Sequence, residues 1–328
     1  MIFSTVLGAF SILLAPASAT PVTAGGSCHA PPVGPRTLYT FANGTQLENI
    51  AVRSNGNLLL TRINKPELYE FNPSDPSSGA KLLQTFPGYV SLLGITELTP
   101  DVFAFITGNF TFPAGGVAKS FSIWTVAIHD QDYKYAKVAD ILEATLLNGL
   151  ATLNAGAVLA SDSTNGVVYR VDIKSGNYEA VLDDASFKPP AGAPIAVGIN
   201  GLRLHDEYAY YTNTFGQLFG RVRIDANGRA CGTYEIIARN VLGDDFAIGS
   251  TASYIAGNFQ NVVTKIEPGG KVSVFAGNIS STLVAGATSA QFGRTWRDKN
   301  VLYVVTNGGE IAPVNGFSEG GKIVAFDV

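Results

Sequence analysis

Four short motifs place a charged or amide side chain at the start of an apolar run: Glu48-Asn49-Ile50, Asn148-Gly149-Leu150, Asn200-Gly201-Leu202 and Asp244-Asp245-Phe246. Two carboxylates and two amide oxygens brought to one point suit a hard cation such as Ca²⁺ or another divalent ion. The same residue types also satisfy loop amides in turns, and that alternative stays open here. A second polar set closes other apolar runs: Arg62, Thr107, Asp162, Asn213, Asn258 and Asn307. Arg62, Thr107, Asn213, Asn258 and Asn307 are candidate hydrogen-bond donors to a substrate oxygen. Asp162 and Asp245 are candidates for helping a substrate lose water, or else they cap turns. No Gly-x-Ser-x-Gly elbow, CxxC, HExxH or dinucleotide fingerprint occurs, and His29, His129 and His205 are widely scattered.

The elements that must position these residues follow from a repeat. A short inner strand, a turn, a second strand ending in a small polar cluster and a third strand recur six times. First strands anchor near Glu48, Leu93, Asn148, Asn200, Asp244 and Ala290, spaced 44 to 55 residues apart. Four short antiparallel strands at that period are propeller blades, so the fold is predicted to be all-β, a six-bladed β-propeller. No helical period persists beyond Asp140–Leu147. Composition agrees: 46% apolar against 15% charged residues excludes a disordered or coiled-coil chain, and 36 glycines suit frequent turns. A net charge of −4 leaves no basic footprint for nucleic acid.

The sixth repeat ends on Lys322–Phe326 without a fourth strand, and Thr37–Phe41 precedes the first anchor. Pairing the two would close the ring and cover an exposed edge. Strand direction then sorts the connections between two faces. First strands start and second strands end on one of them, the mouth. Phe110, Phe112, Phe246, Phe259, Phe292, Trp296 and Phe317 fall in or near mouth segments, which suits an apolar, ring-containing ligand. Arg294 and Glu97 occupy equivalent places in blades six and two and are expected to pair.

The N-terminus reads as a secretory signal over residues 1–19. An apolar run from Val6 to Ala15 precedes Pro16 and an Ala17-Ser18-Ala19 cleavage site. Residues 20–36 form an arm and residues 37–328 the single propeller domain. No transmembrane segment is expected. Sequons at Asn43, Asn109 and Asn278 predict a secreted or luminal glycoprotein. In an oxidising compartment the two cysteines, Cys28 and Cys231, are expected to form one disulfide, with two free thiols as the alternative. Cys231 falls on the face opposite the mouth. A monomer or weak oligomer is expected.

The four anchor motifs and the six-blade period resemble the senescence marker protein/gluconolactonase family of six-bladed propellers, which includes regucalcin. That resemblance implies a metal held by Glu48, Asn148, Asn200 and Asp244, with a metal-bound water and an acidic residue opening a sugar lactone. The aromatic mouth departs from that pattern. In overall character, with Asp244-Asp245-Phe246-Ala247-Ile248 in blade five, the chain is more similar to fungal hetero-Diels–Alderases of tropolone-sesquiterpenoid pathways. This narrower resemblance implies cycloaddition of a tropolone-derived ortho-quinone methide with a humulene-type sesquiterpene, with no cofactor required. Arg62, Thr107, Asp162, Asp245 and Asn258 are then the expected catalytic groups. Glu48, Phe110, Asn148, Asn200, Asn213, Phe246, Phe292, Trp296, Asn307 and Phe317 are the expected substrate contacts. A lactonase and a non-catalytic secreted propeller that binds a partner are the alternatives.

Overall fold

The computed structural model describes residues 34–130 and 132–328; the expected signal segment over residues 1–19, most of the expected arm and Cys28 lie outside them. Six four-stranded antiparallel sheets form a six-bladed β-propeller. In blade one the strands run Leu47–Val52, Leu58–Arg62, Glu67–Phe71 and Ala80–Thr85 from axis to rim. First strands of the next four blades are Ser91–Thr99, Leu147–Asn154, Ile199–His205 and Phe246–Ile248. Blade six is built from Ala287–Phe292, Val301–Thr306 and Lys322–Asp327, with Arg36–Thr40 as its outer strand. Residues 141–146 form a turn rather than a helix, and the described residues contain only three short 3-10 turns besides strands. No helix among them is long and apolar enough to cross a membrane.

The expected closure is present. Arg36 pairs with Ala325 and Thr40 with Lys322, with a bulge between Thr37 and Tyr39. Tyr39 and Phe41 then pack on blade one, with ring centroids 5.7 Å from Phe71 and 5.3 Å from Tyr69 respectively. Such pairs add about 0.5–1.5 kcal/mol each beyond area burial. The seam is therefore bonded on one side and hydrophobically packed on the other.

The inner strands share one irregularity that matters for the site. Register shifts fall between Leu47 and Ile50, Leu92 and Ile95, Leu147 and Leu150, Ile199 and Leu202, and Ala287 and Ser289. Each is a bulge at the mouth end of a first strand, a device that re-aims side chains. Glu48, Leu93, Asn148 and Asn200 sit inside these bulges. In blade six the equivalent residue is Thr288; Ala290 is two positions further along, so that anchor is corrected. The residue that follows is Gly94, Gly149 or Gly201 in blades two to four. A Cβ there would lie 2.4 Å from Asn148 O, 2.3 Å from Asn200 O or 2.7 Å from Asp245 Cα. Only glycine lets these inner strands approach so closely.

Candidate active site at the propeller mouth

A cleft opens at the mouth, lined by all six blades. Its outer part, about 310 Å³, is bounded by Ile63, Phe110, Phe112 and Ile311, with Gln46, Asn307 and Glu310 at its polar edge. A smaller recess of about 50 Å³ continues inward beneath Leu93, Ile195, Val197, Phe215 and Phe259. Glu48, Asn148, Asn200, Asp244 and Asn258 form the polar floor of this recess. A short ribbon, Phe110–Thr111 paired with Gly115–Gly116, carries the first two aromatic rings over the opening.

The floor is buried and sparsely bonded. Asn258 Nδ2 donates to Asp244 Oδ2 at 3.1 Å, and Asn307 Nδ2 donates to Asn258 Oδ1 at 3.0 Å. Asn200 Nδ2 donates to Thr214 Oγ1 at 2.9 Å, while its Oδ1 is buried without a partner among the described residues. Burial pushes Glu48 well above the usual carboxylate range, and the charges of Asp244 and Asp245 add to this. Burial likewise pushes Asp244 up to about 7, with the Asn258 amide opposing the shift and Asp245 reinforcing it. Desolvation disfavours the charged form of both groups. The floor thus offers amide N–H donors, one orphaned acceptor and two carboxyls that resist ionisation.

The structure separates the expected site residues into two groups. Glu48, Phe110, Asn148, Asn200, Asp244, Asn258 and Asn307 meet at the cleft, as do Phe112 and Phe259. Other expectations are corrected by placement. Arg62 is spent inside blade one, donating to Glu67 at 2.8 Å and Asn64 at 2.7 Å. Asp162 caps a turn, accepting from the backbone N–H groups of Thr145, Leu146, Thr164 and Asn165. Asn213 donates to Ser186 O and Lys188 O and accepts from Gly216 N–H. Thr107 is fully buried, its hydroxyl unpaired and away from the cleft wall.

Asp245 lies under the floor. Its Oδ2 accepts from Arg203 at 2.5 Å, Asn49 Nδ2 at 2.9 Å and Ser289 Oγ at 3.0 Å. Phe246 is wholly buried between blades four and five, edge-on to Phe219 at 5.0 Å. Phe292 ends its strand away from the mouth and packs against Tyr254. Trp296 lies in the turn joining the first and second strands of blade six, on the opposite face, beneath the Arg297 guanidinium. Phe317 is 79% exposed on a long mouth loop of blade six and lines neither part of the cleft. Arg294 and Glu97 do pair, and Arg294 also donates to Val52 O at 2.9 Å. Cys231 is exposed; because Cys28 lies outside the described residues, their bridge remains an expectation.

Sequence reading missed Ile63, Ile195, Val197, Phe215 and Ile311, the apolar wall of the cleft. Two of them carried a usable signal: Ile63 follows the end of a second strand, and Phe215 comes two residues after one, where mouth loops begin.

No family model matches the chain. It is 28% identical over 323 residues, covering 86% of this chain and 80% of the relative, to a protein of Sarocladium schorii provisionally named hetero-Diels-Alderase. A Phoma sp. protein with the same provisional name is 26% identical over 308 residues, covering 84% of this chain and 87% of the relative. Among solved structures, a calcium-binding protein, regucalcin, from Agrobacterium tumefaciens aligns with a TM-score of 0.63 at 13% identity, over 90% of this chain and 94% of that one. A gluconolactonase from Xanthomonas campestris aligns with a TM-score of 0.58 at 12% identity, over 89% and 88%. The likeness to these two is one of fold. The resemblance read from the sequence therefore stands: along most of its length the chain is similar to proteins named as enzymes of the hetero-Diels–Alder type, and it shares the propeller fold with the gluconolactonase and regucalcin structures.

Proposed function

We propose that this chain is a pericyclase that joins two largely apolar reactants in the mouth cleft by an intermolecular hetero-Diels–Alder cycloaddition. The heterodiene is a tropolone-derived ortho-quinone methide and the alkene a humulene-type sesquiterpene of fungal secondary metabolism. The observation that carries this reading is the contrast within the cleft: aliphatic and aromatic walls above a floor of amides and carboxyls. Its volume lies in the range of small-molecule sites. A concave cleft with apolar walls also favours catalysis over the alternative of a partner protein lying across a flat mouth.

Such a reaction needs orientation more than a nucleophile. Holding diene and alkene face to face removes entropy from the barrier, and excluding water protects a promiscuous electrophile. Phe110, Phe112, Phe259 and Ile311 restrict how the two can stack. An amide N–H of Asn258 or Asn307 directed at the quinone-methide oxygen draws electron density from the diene and favours attack by the alkene. The leader-like N-terminus and the sequons support a secreted or luminal setting. The test is to generate the quinone methide chemically beside the alkene, with and without the protein. Enrichment of one regio- and stereoisomer is expected; identical product ratios overturn the proposal.

A metal-dependent lactonase is the second reading, and a specific observation favours it. The orphaned Asn200 Oδ1, two carboxyls and Asn148 fit a hard divalent cation. Glu48, Asn148, Asn200 and Asp244 would hold the ion, which supplies Lewis-acid polarisation of a lactone carbonyl and an activated water. Lactone hydrolysis lost on chelation and restored by Ca²⁺, Mn²⁺ or Zn²⁺ would move the assignment to this reading.

A further inference from the structure

We propose that Asn261 is a positioning residue for the cleft: its side-chain amide fixes the place of Ile311 and thereby the orientation in which the two reactants meet. The inference rests on the reaction proposed above. Asn261 lines neither part of the cleft and is wholly buried beneath the mouth connections of blades five and six. Its Nδ2 donates to Ala312 O at 3.1 Å and to Ile279 O at 3.3 Å, and its Oδ1 accepts from Gly286 N–H at 2.7 Å. Among the described residues, the bond to Ala312 O is the one hydrogen bond made by residues 310–313. On one side of that stretch Asn307 Oδ1 holds Gly309 N–H at 3.0 Å; on the other Val314 and Phe317 close a tight turn. Ile311, a wall of both the outer cleft and the recess, lies between these fixed points.

The amide is separable from the turn it occupies. Asn261 is left-handed, with φ 56° and ψ 42°, and stands immediately before the third strand of its blade, Val262–Ile266. The residues before the third strands of blades three and four, Gly166 and Gln217, are left-handed too, with φ 62° and 51°. Gly166 makes the turn with no side chain, and Gln217 is exposed. The backbone conformation therefore belongs to the repeat, and glycine satisfies it. The buried amide belongs to blade five, where the preceding residues include Asn258 and Phe259 of the recess. One side chain thus ties the segment carrying two cleft residues to the loop carrying a third.

The test generates the quinone methide chemically beside the alkene with the full chain, and reads total product and isomer ratio separately. Asn261→Gly keeps the turn and removes the amide. Its ratio of major to minor isomers should be about twofold to tenfold lower than that of the wild type, the bias one neutral hydrogen bond can hold, with total product little changed. Ile266→Ala, at the far end of the same strand, removes buried apolar contact without touching the mouth and should leave the ratio as it is. Ile311→Ala should lower the ratio, and adding Asn261→Gly to it should lower it little further, because the amide acts through that side chain. Should Asn261→Gly not fold, Asn261→Asp, which keeps the turn and the acceptor for Gly286 N–H but has no amide donor, is read in the same way. A wild type that gives the uncatalysed ratio overturns the reaction reading and this proposal together. A selective wild type whose ratio survives Asn261→Gly, shifts as much with Ile266→Ala, or falls additively in the double variant overturns this proposal alone.

Discussion

Asp244 and Asp245 are adjacent, chemically identical and both nearly inaccessible, yet they belong to different regions of the molecule. Asp244 opens on the cleft, where one amide from Asn258 contacts its Oδ2. Asp245 points beneath the floor into a knot drawn from blades one, four and six, where Arg203, Asn49 and Ser289 converge on a single oxygen. Asn49 and Ser289 occupy, in blades one and six, the position that is glycine in blades two to four. Half the ring thus closes its axis by backbone contact and half by a polar knot. What separates a poised carboxyl from a structural one here is the partner supplied by other blades, which no local motif displays.

The largest effect should come from breaking the knot. Asp245→Ala strands a guanidinium whose side chain is only 12% exposed, and removing one partner of a buried pair costs about 3–5 kcal/mol. Denaturant unfolding checks this; a loss below about 1 kcal/mol would show the knot to be dispensable. In the cleft, by contrast, substitution should alter chemistry more than stability. Asn258→Ala should slow cycloaddition about threefold to tenfold, the rate equivalent of one neutral hydrogen bond, with unfolding little changed. An unaltered rate would remove Asn258 from the mechanism.

The cleft carboxyl should also make stability depend on pH. Folded Asp244 keeps its proton up to about 7, whereas the ordinary value is 3.8. Folding therefore retains a proton that the unfolded chain has lost, so this group's contribution is full below about pH 4 and falls as pH rises through 7. Measured from pH 4 to 8, wild-type stability should decline relative to Asp244→Asn. A constant difference between the two would contradict the burial of that carboxyl. The smallest effect is expected at the opening: Phe112→Ala, at a ring already 46% exposed, should broaden the isomer ratio with little change in total product. Chromatography of the products reads this, and an unchanged ratio would confine orientation to the deeper residues.

The legible parts of the molecule were those governed by period. Six blades, the closing strand and the Arg294–Glu97 pair follow from strand spacing and direction. Glu48, Asn148, Asn200 and Asp244 were legible because each stands where an inner strand begins. Phe246 and its neighbours were not, because alternation is a guide only while the ladder is regular, and irregularity concentrates where inner strands begin. Arg62, Asp162 and Asn213 have the chemistry of a site, but nearby groups had already claimed it. Ile195 and Val197 sit in a loop, where no period distinguishes a wall from a surface.

The seam at blade six brings together residues 291 positions apart, with Arg36 donating to Asp327 at 2.7 Å. Loop closure over so long a span is entropically slow to be rewarded. During synthesis the outermost strand of the last blade is made first and must wait, unpaired, until almost the whole chain has emerged. The same adjacency makes the molecule a candidate for circular permutation. Opening it at the exposed Ser54-Asn55 pair and linking residue 328 to residue 34 would turn the seam into an ordinary hairpin, and folding would no longer depend on the two ends finding each other.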